Sequence, residues 1–211
     1  MKILIPLLFC LLTTLSFAQM PSPFISGGVN LNGSGMSAAG GTGVAGIIWE
    51  SSHFFIMPEA GYSTGGKNDD NTNTSSSGHT RYLEANTLIK TGKWYFGPGA
   101  TWLKLYTPNY SKSAWNPQGT IGRDFNSYIS KIFVTYETAG TDKSNGMHGI
   151  ETQLWWTFGR HFFLREKVGI WIGHATITCS DQSINCIQLT AKERSERLSS
   201  GELQTIVGWR F

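Results

Sequence analysis

Charge is scarce in this sequence: charged residues make up 15% of its 211 positions, against about 25% in an ordinary soluble domain. That shortage implies that something other than water faces much of the surface. Long apolar runs are missing too. Past residue 18 no stretch approaches the ~20 apolar residues of a membrane-crossing helix, so any crossing has to be made by strands. Helical periodicity is absent as well, since no segment places apolar residues at i, i+3, i+4 and i+7 over three turns. The chain lacks basic runs and aromatic-basic stripes, and its formal charge is only +3, which excludes a nucleic-acid partner.

The first eighteen residues, "MKILIPLLFCLLTTLSFA", combine one lysine, a short apolar run and Ser16-Phe17-Ala18 as a small-x-small cleavage site, the pattern of a secretory signal peptide. Cys10 lies inside the apolar run rather than at its end, so no lipoprotein is expected. Removal of residues 1–18 takes away Lys2 and no acid, leaving 16 basic residues against 14 acidic ones. The domain organisation expected is therefore a signal peptide, 1–18, and one domain, 19–211.

What remains is rich in alternation. Gly and polar clusters punctuate it at short intervals, and the spacing predicts strands at 22–32, 40–50, 53–63, 80–91, 93–106, 113–122, 127–138, 147–158, 161–178 and 201–211. The sixth is the weakest because of Pro117, and dropping it with a neighbour gives eight. Connections fall into two alternating sets. Short ones are "ESSH" at 50–53, "TGK" at 91–93, "GRDFN" at 122–126 and "GRH" at 159–161; longer polar ones lie at 33–39, 64–79, 107–112, 139–146 and 179–200.

Aromatic residues also sort into two levels. Trp49, Phe54, Phe55, Trp94, Tyr95, Phe96, Phe125, Tyr128, Trp156, Phe158, Phe162, Phe163, Trp209 and Phe211 cluster at the short turns; Tyr62, Tyr82, Trp102, Tyr106, Trp115, Tyr136 and Trp171 lie nearer the long connections. Two belts suit the two headgroup regions of a bilayer, whereas a secreted soluble β-sandwich, the alternative, would hold most of its aromatics mid-strand. The sequence ends "LQTIVGWRF", alternating apolar residues that finish on an aromatic, with Val207, Trp209 and Phe211 as its outward positions. In this terminus, the paired connections and the belts, the chain resembles the small outer-membrane β-barrel proteins of Gram-negative bacteria. The resemblance implies an all-β antiparallel barrel of about ten strands, a C-terminal assembly signal read by the barrel-assembly machinery, outer-membrane lipids as surroundings, and a monomer.

With the terminal parity facing lipid, the opposite parity faces the lumen. It holds Glu59, Glu84, Lys90, Lys104, Lys131, Glu137, Glu151, Arg165, Lys167, Glu202 and Arg210, with Asn86, Gln153 and Gln204. Ile56, Leu83, Ile89, Ile132, Val134, Leu154, Val168 and Ile170 face out. Glu166 breaks the pattern, by lying near the rim or through a bulge. Five acids against six bases suggest a lumen filled by ion pairs rather than a pore, because barrels of about eight strands are just wide enough for side chains; a narrow channel for small solutes is the alternative.

Cys179 and Cys186 share the connection "CSDQSINC", and in an oxidising compartment a loop-closing disulfide is expected. No metal or cofactor is expected: the loop has no histidine beside its thiols, and "GSGMSA" at 33–38 is followed by glycines that break the helix a dinucleotide needs. Asp69, Asp70 and Asn71 lack the spaced pattern of a calcium loop. Barrel enzymes acting on peptide or lipid would draw on Asp69, Asp70, Asp142 and His148, or on His174 with Ser180. Asp69 and Asp70 are adjacent and point to opposite faces, and no acid is placed to orient His174, so no catalytic residue is assigned; His161, beside a turn, reads as interfacial. A structural, adhesive or surface-interaction role carried by external loops, with an external ligand that the sequence does not name, is the functional expectation.

Overall fold

The computed structural model describes residues 20–33, 38–69, 74–107, 110–125, 127–142, 145–177 and 194–211; toward the strand ends remote from the chain termini it describes the backbone alone. Ten strands follow one another: β1 (Ser22–Gly33), β2 (Ala38–Glu50), β3 (Phe54–Asp69), β4 (Thr74–Thr91), β5 (Trp94–Thr107), β6 (Tyr110–Asp124), β7 (Ile129–Asp142), β8 (Asn145–Phe158), β9 (Phe162–Ile177) and β10 (Arg194–Arg210). Each hydrogen-bonds to its sequence neighbours, and β10 pairs with β1 to close an antiparallel barrel. The closing ladder runs from Phe24↔Arg210 to Gly33↔Gly201. Closure leaves neither terminal strand with an open edge.

The four short turns and both described chain ends lie at one end of the barrel, the turn end; the opposite end is the loop end. Turn chemistry is local. Gly92 and Gly159 adopt φ of 60° and 67°, a left-handed conformation that glycine takes without strain. In the first turn the Ser51 hydroxyl accepts the His53 and Phe54 amides, both at 3.1 Å.

The number of strands matches the sequence expectation, but the strands run further at the loop end. Most of the expected connection at 64–79 is strand, with β3 and β4 paired out to Asp69↔Thr74; β7 and β8 likewise pair to Asp142↔Asn145, and β10 starts at Arg194. Polar Ser, Thr and Asn residues break an apolar pattern without breaking a backbone ladder, which needs only N–H and C=O groups. Pro117 does sit within β6, opposite Ala100. Its effect appears on the other side: the β6–β7 ladder runs only from Gln118↔Glu137 to Asp124↔Lys131, because proline has no N–H to contribute beyond that point.

Candidate functional site in the lumen

Alternation turns every second side chain inward, and the lumen fills in layers. At the turn end β2, β4, β6 and β7 place Glu50, Lys90, Asp124 and Lys131 around one another. Lys90 Nζ lies 2.6 Å from Glu50 and 2.9 Å from Asp124; Lys131 Nζ lies 3.1 Å and 2.6 Å from the same two. The Tyr95 hydroxyl is 2.6 Å from both carboxylates and accepts from Lys131 at 2.9 Å. Two acids and two bases thus neutralise each other around one phenol.

An apolar layer follows, built on Phe24, Ile48, Phe55, Phe133, Trp155 and Phe163, all buried. Phe55 packs against Phe133 with centroids 5.4 Å apart and edge-on to Tyr95 at 5.6 Å; Trp155 stacks on Phe163 at 5.3 Å. Pairs of this kind contribute roughly 0.5–1.5 kcal/mol beyond their burial. Together they pack side chains from β1, β2, β3, β5, β7, β8 and β9 against one another inside the barrel.

The polar layer toward the loop end is richer in acid. Arg165 and Glu59, both 0% exposed, form a two-pronged pair at 2.5 and 3.1 Å. Lys167 reaches Glu84 at 3.3 Å and Glu151 at 3.4 Å. Amides complete the shells: Asn86 donates to Glu84 and Gln153 to Glu151, each at 2.7 Å, and Gln118 donates to Glu137 at 2.9 Å. Trp171 also donates to Glu137. Asn116, Gln118, Gln153 and Gln204 hold buried side-chain oxygens that meet no donor among the described residues.

The structure keeps most of the inward set and corrects it at particular positions. Lys104 faces out: it lies opposite exposed Arg81, while its neighbour Leu103 packs against the interior. Glu50 and Asp124 are additional inward acids. Their parity was readable, but both stood at the edges of expected turns, where alternation was not counted. The lumen of described residues therefore holds Glu50, Glu59, Glu84, Asp124, Glu137, Glu151 and Glu202 against Lys90, Lys131, Arg165, Lys167 and Arg210, rather than a small excess of bases. Glu166 does face out, and the β9 ladders with β8 and β10 pass through it without a register shift; no bulge is involved. The belts also lose members to the interior, since Phe55, Tyr95, Phe163 and Tyr82 are buried in the lumen and Trp171 bonds Glu137 there.

Val207, Trp209 and Phe211 are all outward and exposed, at 44%, 48% and 69%, and the Phe211 amide donates to Pro23 at 2.9 Å. Of the enzyme candidates, only His148 has its side chain among the described residues. Outward His148 lies 2.6 Å from the Tyr136 hydroxyl through Nδ1. Asp69 and Asp142 are placed by backbone pairing to Thr74 and Asn145, and His174 pairs with Gly146 and Arg197. The side chains of those three, with Asp70, Ser180, Cys179 and Cys186, lie outside the described residues. His161 is at the rim, its ring stacked on Trp209 at 5.2 Å and 11°.

No protein-family model matches the chain, and no curated protein matches it. Among solved structures it is similar to the crystal structure of Neisserial surface protein A (NspA), with a TM-score of 0.38 and 12% identity over 92% of this chain and 99% of that one. At that level of likeness the ten-stranded closed barrel described here stands on its own strand pairing.

Proposed function

We propose that this chain is a small, monomeric outer-membrane β-barrel whose lumen does not conduct and whose role is structural, adhesive or surface-interacting, exercised at the loop end. The observation that carries the membrane reading is the inverted distribution of side chains. Outward positions are Ile25, Val29, Leu83, Ile89, Ile121, Ile150, Val168, Ile170 and Val207, all exposed, while ion pairs occupy the inside. Water outside and ions inside would be an unfavourable arrangement; lipid outside makes it stable. In this reading the turn end faces the periplasm and the assembly machinery engages Val207, Trp209 and Phe211 before insertion.

Strand length supports the placement of the role. Nine to eleven tilted residues cross a bilayer, yet β4 has 18 and β10 has 17. On β10 the outward parity from Leu203 to Phe211 is apolar except at Thr205, and the stretch before it, 194–202, is polar except at Leu198 and Gly201. The surplus strand would stand above the lipid as a rim, the platform on which external loops meet a ligand. The apolar layer across the lumen favours a sealed barrel over a narrow channel.

Two measurements test the proposal. Outer membranes from cells expressing the full gene should contain a protein whose mobility on a denaturing gel shifts on boiling, and the purified barrel should give no discrete conductance steps in planar bilayers. Recovery from the soluble fraction without detergent would overturn the membrane reading. Reproducible unitary currents would overturn the sealed lumen.

A further inference from the structure

Outward positions of neighbouring strands line up in rows across the barrel wall, and one row on β3–β6 holds two cations side by side. Tyr62 stands opposite Arg81, Arg81 opposite Lys104, and Lys104 opposite Ser113. The adjoining row toward the turn end is apolar, with Ala60, Leu83, Trp102 and Trp115 in the same order. From there no outward position on these four strands is charged until the row of Thr91, Trp94 and Arg123 beside the turns.

The spacing of the two charged rows matches a bilayer. Arg81 and Thr91, Trp94 and Lys104, and Ser113 and Arg123 each stand ten residues apart on one strand. At ~3.3 Å per residue and a tilt of about 40° that spans roughly 25 Å, the height of the lipid-facing apolar band of outer-membrane barrels. Arg81 and Lys104 therefore lie at the headgroup level of the loop-end leaflet. Like charges directly opposite each other repel, and among the described residues the outward face of β3–β6 holds no acid to offset them.

Directly opposite side chains start about 5 Å apart, so the guanidinium and the ammonium can close on one anion, flanked by the hydroxyl residues Tyr62 and Ser113. A phosphate monoester carries close to two negative charges and three free oxygens, which match two cations; a diester offers one charge. On the turn-end side, exposed Leu83 and Trp115 with Trp102 between them give hydrocarbon chains an apolar and aromatic surface. We infer that Arg81 and Lys104 hold the phosphate monoester of a membrane lipid on the outer wall of β4 and β5, its chains running over Leu83, Trp102 and Trp115 toward the turn end. The inference rests on the membrane reading above and adds the chemistry of the lipid to it.

The test uses the full-length barrel folded in an amine-oxide detergent, with folding read from the heat-dependent gel shift. Native mass spectrometry then follows lipid retention from equimolar phosphatidic acid, phosphatidylglycerol and phosphatidylcholine: a monoester, an anionic diester and a zwitterion. Phosphatidic acid should be retained one per barrel, at least about 10-fold above either of the others. Arg81→Gln and Lys104→Gln should each lower that retention about 10-fold, and Lys104→Arg, which keeps the charge, should preserve it. Arg123→Gln should leave it unchanged, because Arg123 stacks on Trp94 and Phe125 at the opposite boundary. Equal retention of phosphatidic acid and phosphatidylglycerol, or equal weakening by Arg123→Gln, overturns the inference. A barrel that shows the gel shift and retains no phosphatidic acid overturns the inference alone; protein that stays soluble without detergent overturns the membrane reading beneath it.

Discussion

Arg165 and Glu59, 106 residues apart in the chain, meet across the lumen with Nη1 donating to one carboxylate oxygen and Nη2 to the other, and no exposure of either side chain. Removing one partner of such a pair leaves a buried charge uncompensated, which costs about 3–5 kcal/mol. Glu59→Leu or Arg165→Met should therefore lower the unfolding free energy by that amount in urea titrations of the barrel in lipid vesicles. The double variant should recover most of the loss, because no bare charge remains. Additive losses would show that the two groups act separately.

The cluster at the turn end is more hydrated, with its four charged side chains 16–20% exposed. Lys131→Met removes the ammonium that touches both acids and Tyr95, and the expected loss is smaller, about 1–3 kcal/mol. Equilibrium unfolding of the same vesicle-borne barrel measures it. A loss as large as that of Arg165→Met would mean that the turn end is drier than its exposure indicates.

Trp171 lies across two glycines. A Cβ at Gly149 would come within 2.2 Å of its ring, and so would one at Gly169. Gly169→Ala should displace the indole from Glu137, lower stability by about 1–3 kcal/mol, and change the near-ultraviolet dichroism of the folded barrel. An unchanged spectrum with unchanged stability would sink this account of the two glycines.

Pro117 and the shortened β6–β7 ladder make one seam different from the rest. Among the described residues, the backbone amides within 113–116 and 138–142 that turn away from β5 and β8 have no β6–β7 ladder to join, so they should exchange hydrogen faster than the amides of 118–124 and 131–137 that point across the same seam. Pro117→Thr should slow exchange in the seam by supplying a donor. Uniform protection along β6 would refute the seam.

The end of β10 offers a prediction about assembly rather than stability. Phe211 is exposed and tied only through its backbone to Pro23, so Phe211→Ala should leave the unfolding free energy of the purified barrel within about 0.5 kcal/mol. In cells the same substitution should reduce the heat-modifiable fraction in the outer membrane several-fold if the terminus acts as an assembly signal. Unchanged yield would remove that role.

Much of this barrel was legible in the residues themselves. Strict alternation placed Glu59, Glu84, Arg165 and Lys167 on one parity and Leu83, Val168 and Ile170 on the other, because neighbouring side chains of an extended chain must point to opposite faces. Loop-end strand lengths were not legible, since Ser, Thr and Asn pair through their backbones as readily as apolar residues do. Lys104 misled because a charge was taken as inward against its strand's own parity, set by Tyr95 and Thr101.

The sequence by itself determined that the chain is a set of amphipathic strands with one apolar and one polar face, and where most of them lie; a period of two is a local property, readable a few residues at a time. Tertiary structure alone decided what meets inside. Closure brings β3 against β9 and sets Tyr95 among Glu50, Asp124 and Lys131. Those neighbours depend on the register of every intervening ladder, and no local pattern encodes the sum.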